Sequence, residues 1–156
     1  MANPDFAGRE YAATAPYSVG REKLREFASA VGALDPAHHD LVAARGLGYP
    51  DLVAPPTFAV VVAQRAEGQY VQDPEAGIDF SRVVHADEKF VHHRPIVAGD
   101  ELVTVLHVDS VTERAGIAMV TTRCEIFAIS GDGSEDATRE PVATVSSSLV
   151  IRGEDS

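Results

Sequence analysis

Residues 54–67 read Ala54-Pro55-Pro56-Thr57-Phe58-Ala59-Val60-Val61-Val62-Ala63-Gln64-Arg65-Ala66-Glu67, and the fold turns on how this stretch is built. The run 58–63 is apolar throughout, so periodicity alone does not separate a buried helix from a buried strand. Its β-branched residues favour a strand. The paired prolines at its start suit the first turn of a helix, and the polar residues 64–67 follow it. Helix is the reading adopted.

Upstream of that run, Leu24, Phe27, Ala28 and Val31 fall at i, i+3, i+4 and i+7, an amphipathic helical stripe that Gly32 would stop. A second short helix is expected from Asp35-Pro36, with Asp as N-cap and Pro at the first helical position, ending at Gly46 or Gly48. Downstream, the pattern changes to strands. One spans 83–91 and is ended by Arg94-Pro95. A second spans 102–111 after Gly99-Asp100, and a turn at 113–116 leads to a third at 117–128. In the third, Ala118, Val120, Thr122, Cys124 and Ile126 share one face, with Arg123 and Glu125 on the other. A polar loop at 130–134 precedes a last strand, 142–151, and the tail 152–156 is expected to fray. Helices followed by consecutive antiparallel strands make an α+β domain, its sheet wrapped over a helix it must bury. Nothing alternates as a parallel α/β fold requires, and no Gly-rich phosphate loop follows a strand.

The 156 residues suit one domain, 1–156, with a core of about 10–151. A net charge of −11 repels phosphate backbones and argues against a nucleic-acid partner. Arg21, Lys23 and Arg25 could form a local basic patch, but a solvated helix face is the simpler reading. The single Cys124 excludes an intramolecular disulfide framework and a multi-cysteine zinc site, and points to a reducing cytoplasm. The first residues lack the pattern of a signal peptide, and no apolar run spans a bilayer, so no membrane partner is expected.

Four segments then carry a resemblance. Phe27-Ala28-Ser29-Ala30-Val31-Gly32-Ala33-Leu34-Asp35-Pro36-Ala37-His38 resembles the F-A-x-x-T-G-D-x-N-P-I-H signature of (R)-specific enoyl-thioester hydratases. Residues 48–58 resemble the approach to the central helix of a hot-dog fold, and residues 94–102 the R-P-x-x-x-G-D-x-L segment of the same family. Residues 15–27 are especially similar to the MaoC-like N-terminal dehydratase group of actinobacteria, closest to the HadA-type subunit of (3R)-hydroxyacyl-ACP dehydratase. The resemblance implies a single hot-dog domain, an antiparallel sheet wrapped around a central helix. It also implies an acyl-CoA or acyl-ACP thioester as ligand, and a homodimer or a heterodimer with a second hot-dog subunit.

Hydration of an enoyl thioester needs one group for the water and another for the α-carbon proton, tasks that an Asp and a His can share. A backbone amide at a helix N-terminus can polarise the thioester carbonyl. The family places its Asp and His five residues apart. Here the His position is His38, but the Asp position is Ala33, which moves no proton. Asp35 aligns with the family's Asn and is read as a helix cap before a catalyst. Pro55, Pro56, Thr57 and Phe58, at the start of the central helix, are the candidate substrate-binding residues.

Other features read as structural. His92 and His93 are neighbours on an expected strand and should face opposite ways, and no metal-ligand spacing appears, so neither metal nor cofactor is expected. Cys124 on an apolar strand face reads as core. The leading function is therefore a dehydratase subunit that shapes the acyl channel while a partner supplies the Asp/His pair. A self-sufficient enoyl-CoA hydratase using His38 comes second, and a non-catalytic acyl-thioester-binding protein third. A thioesterase ranks last, since Asp51 and Glu67 only flank the helix start.

Overall fold

The computed structural model describes residues 1–130 and 138–153. Three helices, α1 (Arg21–Ala30), α2 (Leu41–Gly46) and α3 (Ala59–Val71), precede four long strands. These are β2 (Val83–His92), β3 (Glu101–Arg114), β4 (Ile117–Ser130) and β5 (Thr138–Arg152); a two-residue strand, β1 (Tyr17–Ser18), precedes α1. One antiparallel sheet runs in the order β1-β3-β4-β5-β2 and curls around α3, the α+β hot-dog arrangement.

The stretch 54–67 is helical. A 3-10 turn over Pro56–Phe58 feeds α3, whose buried positions are Ala59, Val62, Ala63, Ala66, Glu67 and Tyr70. Three small alanines on that face let the sheet approach the helix axis closely. Opposite them lie Leu106 and Val108 of β3, Val120, Cys124 and Ile126 of β4, and Val145 and Leu149 of β5, all buried in one cluster. Cys124 is fully buried, and burial pushes its thiol pKa up, as a core cysteine requires.

Several boundaries differ from the sequence pattern. The second helix is two pieces: a 3-10 turn at Pro36–His38 and then α2, restarted by Asp40, whose side chain accepts from Ala43 N. Strands β3 and β4 run up to a two-residue turn, Ala115-Gly116, with φ of 53° and 75°. Two successive positive φ values match the right-handed twist of a tight hairpin. β2 ends at His92, so His93 lies in the bend after the strand rather than on it. Arg152, expected in a fraying tail, closes β5; residues 131–134 of the expected loop and 154–156 of the tail lie outside the described residues.

The core also reaches further back than residue 10. Ala2 and Phe6 are buried, and Phe6 packs its ring on Tyr70 at 5.9 Å. From there the chain runs beside β3, where Gly8 N, Tyr11 N and Thr14 N donate to the carbonyls of Val108, Leu106 and Thr104. The opposite edge of the sheet is β2, which pairs with β5 on one side only.

Candidate active site

A cavity of about 540 Å³ opens where the 35–38 turn, the segment leading into α3 and the end of β2 converge. His38, Tyr49, Val53, Pro55, Pro56, His92, His93 and Arg94 are among its walls.

His38 is fixed from behind. Its Nδ1 lies 2.7 Å from the carbonyl oxygen of Val53. A carbonyl only accepts, so Nδ1 carries the ring hydrogen and the neutral ring keeps a lone pair on Nε2. His92 is held in the opposite sense, its Nε2 donating to the carbonyl of Pro56 at 2.8 Å. His39 turns away from the cavity and ties down the loop before it, through Nε2 to the carbonyl of Ala33 at 2.8 Å.

Ala33 contributes only a methyl group and does not line the cavity. Its N–H donates to Ala28 O at 2.8 Å, closing the end of α1. Asp35 lies at the cavity wall, where Oδ1 accepts from Ala37 N at 2.9 Å and caps the 3-10 turn. Of the four residues at the start of the central helix, Pro55 and Pro56 line the cavity, whereas Thr57 is exposed and Phe58 is not at the site. Phe58 is fully buried between the rings of Tyr17 and Phe27, because the 3-10 turn rotates it into the core. The prolines carry no N–H, so the first backbone donor after them is that of Thr57.

Arg94 supplies the cavity's fixed positive charge. It forks onto Asp100 at 2.8 and 2.9 Å and reaches Glu140 at 3.0 Å, and the Asp100 hydrogen bonds raise its pKa further. Asp100 therefore does more than make the turn after Gly99; it also accepts from Val97 N.

The sequence pattern missed His92, His93, Arg94 and Tyr49 as neighbours of His38. Adjacent histidines on a strand should diverge, but the strand stops between them. The described residues contain no group of three or more His, Cys, Asp or Glu side chains placed to share a metal ion. The flanking carboxylates are engaged elsewhere. Asp51 forks with Arg21 at 2.8 and 2.9 Å, and Glu67 lies under β4, accepting from Thr122. The basic residues of α1 are likewise partnered: Arg21 by Asp51, Lys23 by Glu26, and Arg25 by Glu22.

Comparison with known proteins follows the same lines. Residues 5–132 match the family described as FAS1-like, dehydratase domain region. A UPF0336 protein of Saccharopolyspora erythraea is 51% identical over 148 residues, covering 95% of this chain and 90% of that protein. Among solved structures, the C-terminally truncated HadBC (3R-hydroxyacyl-ACP dehydratase) complex of Mycobacterium tuberculosis contains a chain 34% identical to this one. It superposes with a TM-score of 0.77 over 94% of this chain and 97% of that one. A MaoC-like dehydratase, 33% identical, superposes with a TM-score of 0.80 over 96% of this chain but only 43% of its own length. With residues 5–132 matched and the curled sheet superposing on these neighbours, the chain belongs to the FAS1-like dehydratase-region family of MaoC-like hot-dog proteins.

Proposed function

We propose that this chain is a subunit of an (R)-specific enoyl-thioester hydratase or 3-hydroxyacyl-thioester dehydratase in cytoplasmic fatty-acid metabolism. It shapes the acyl channel, and a second hot-dog chain supplies the complete Asp/His pair. The observation that carries this reading is the contrast between a built cavity around an oriented His38 and a methyl group at Ala33. One imidazole cannot both activate water and handle the α-carbon proton in the two-group mechanism. The free edge of β2, with Val84 and Val91 exposed, offers the surface on which a second sheet would pair. The complex named for the 34% identical neighbour is in keeping with such a pairing.

The ligand would be an acyl-CoA or acyl-ACP thioester. Pro55 and Pro56 would wall its path, and Thr57 N–H would be the nearest helix-start donor to its carbonyl. A second reading, a self-sufficient hydratase, draws on the lone pair that the Val53 contact leaves on His38 Nε2, with Asp35 as the nearest carboxylate on the cavity wall.

Hydration of crotonyl-CoA by the purified, folded chain separates the two readings, followed by loss of enoyl-thioester absorbance with His38→Ala as control. No turnover alone, and turnover on adding a hot-dog chain that carries both Asp and His, is the expected result. Turnover by the chain alone that vanishes in His38→Ala would overturn the subunit reading. Ligand binding with no turnover under any pairing would leave only a carrier role.

A further inference from the structure

The N-terminal strap that runs beside β3 is fastened on two sides. Glu10 and His107 stand opposite each other in an antiparallel bridge, so their side chains share the outer face of the sheet. The backbone closes on either side of that pair, where Val108 N donates to Arg9 O and Tyr11 N to Leu106 O, both at 2.9 Å. With the strand period of two, Arg9 and Tyr11 point the other way, and both reach Asp73 in the turn after α3.

The His107 imidazole lies between two carboxylates and is only 17% exposed. Nε2 is 3.0 Å from Glu125 Oε2, and Nδ1 is 3.4 Å from Glu10 Oε2. The two acids are not held alike. Glu125 is pinned, because its Oε1 accepts from Arg123 Nη1 at 2.9 Å and Arg123 in turn reaches Asp109 at 3.2 Å. Glu10 is 64% exposed and has no ion-pair partner but His107 among the described residues. The charged groups around the ring are thus Glu10 from the strap, Asp109 from β3, and Arg123 and Glu125 from β4. On β5, the uncharged Ser146 pairs with Arg123.

A carboxylate only accepts, so each contact needs a hydrogen on the ring nitrogen that faces it. The imidazolium carries both. The neutral ring carries one, and the shorter contact to the pinned Glu125 claims it. Nδ1 then turns a lone pair on Glu10, and the strap loses its outer fastening.

We infer that His107 is a proton-operated latch, which clasps Glu10 and holds the strap against β3 when charged, and keeps Glu125 but releases Glu10 when neutral. Histidine is the side chain whose charge changes near neutral pH. The hold is therefore present on the acid side and is lost as pH rises through the titration of the ring. The latch acts on the far side of the sheet from α3 and does not rest on the dehydratase reading.

Amide hydrogen exchange on the full ¹⁵N-labelled chain tests this at about pH 5.5 and about pH 8, each rate divided by the intrinsic rate at that pH. Imidazole shifts of His107 report its charge in the same sample. Protection at Tyr11 and Val108 should fall about two- to fivefold from the charged to the neutral ring, the size of a largely exposed ion pair. Protection at Cys124 and Val145, in the middle of the sheet, should hold. Glu10→Gln and His107→Gln should each remove the pH dependence. Glu10 is exposed, so its variant keeps the test sound if His107→Gln fails to fold. Strap protection that stays flat or rises through the titration, or that is absent at both pH values, would overturn the inference. So would an undiminished pH dependence in folded Glu10→Gln, or an equal loss at Cys124 and Val145.

Discussion

The Nδ1 atom of His38 lies 2.7 Å from the carbonyl oxygen of Val53, and Val53 is itself bridged to Val97. The imidazole is thus anchored to backbone that two separate segments hold in place. Its neutral form should be the Nδ1–H tautomer, with Nε2 unprotonated. Imidazole ¹⁵N shifts measured on the folded chain report this directly; a dominant Nε2–H tautomer would show that the Val53 contact does not set the ring.

The fork of Arg94 onto Asp100 predicts that Arg94→Lys is not a mild change. Lysine cannot supply two parallel N–H donors, and the partly buried Asp100 would keep only Val97 N among its present partners. Urea unfolding should show a loss of about 1–3 kcal/mol for a charge-assisted pair of this kind. A loss below a few tenths would mean that solvent already screens the pair.

Asp51 gives a pH-dependent prediction. Its carboxyl is pushed down to about 2, first by the Arg21 hydrogen bonds, with burial opposing and Leu52 N and the charges of Arg21 and Arg45 adding. A depressed carboxylate stabilises the fold above its unfolded value, and that contribution fades as pH falls through the folded value. Wild type should therefore exceed Asp51→Asn in stability at pH 7. The gap should close between about pH 4 and pH 2. Carboxyl ¹³C titration of Arg21→Ala should show Asp51 moving back towards its ordinary range.

Two glycines should respond oppositely to alanine. Gly68 sits inside α3 with open space for a Cβ, so Gly68→Ala should stabilise by about 0.5–1 kcal/mol through helix propensity. Gly77 has φ of 67° and would place a Cβ 2.6 Å from the carbonyl oxygen of Met1. Gly77→Ala should lower Tm and release the N-terminal segment, read as faster amide exchange at Asn3, whose N–H donates to Ala76 O.

The fold was legible because its punctuation was. Gly32, Arg94-Pro95 and Gly99-Asp100 each stop or start an element close to where the pattern places the break. An apolar run that stops at residue 63 is too short to display the helical register of α3. Carried on to residue 70, the buried positions fall at 59, 62, 63, 66, 67 and 70, a helical period. The site was less legible. Nothing local announces that a strand will stop between His92 and His93, nor that a bulge will turn His85 and Glu88 to one face. Glu67 looked like polar edge to the apolar run, although the same period places it inside.

The N-terminal segment has a consequence for assembly. By donating Gly8, Tyr11 and Thr14 amides to the carbonyls of Val108, Leu106 and Thr104, it covers the middle of the β3 edge, beyond the two residues that β1 pairs with. Among the described long strands, β2 is the one that stands at an edge with a whole side unpaired. The two borders of the sheet are therefore unlike: one long side is left for a partner's strand, and the middle of the other is already taken up by the first fourteen residues of the same chain.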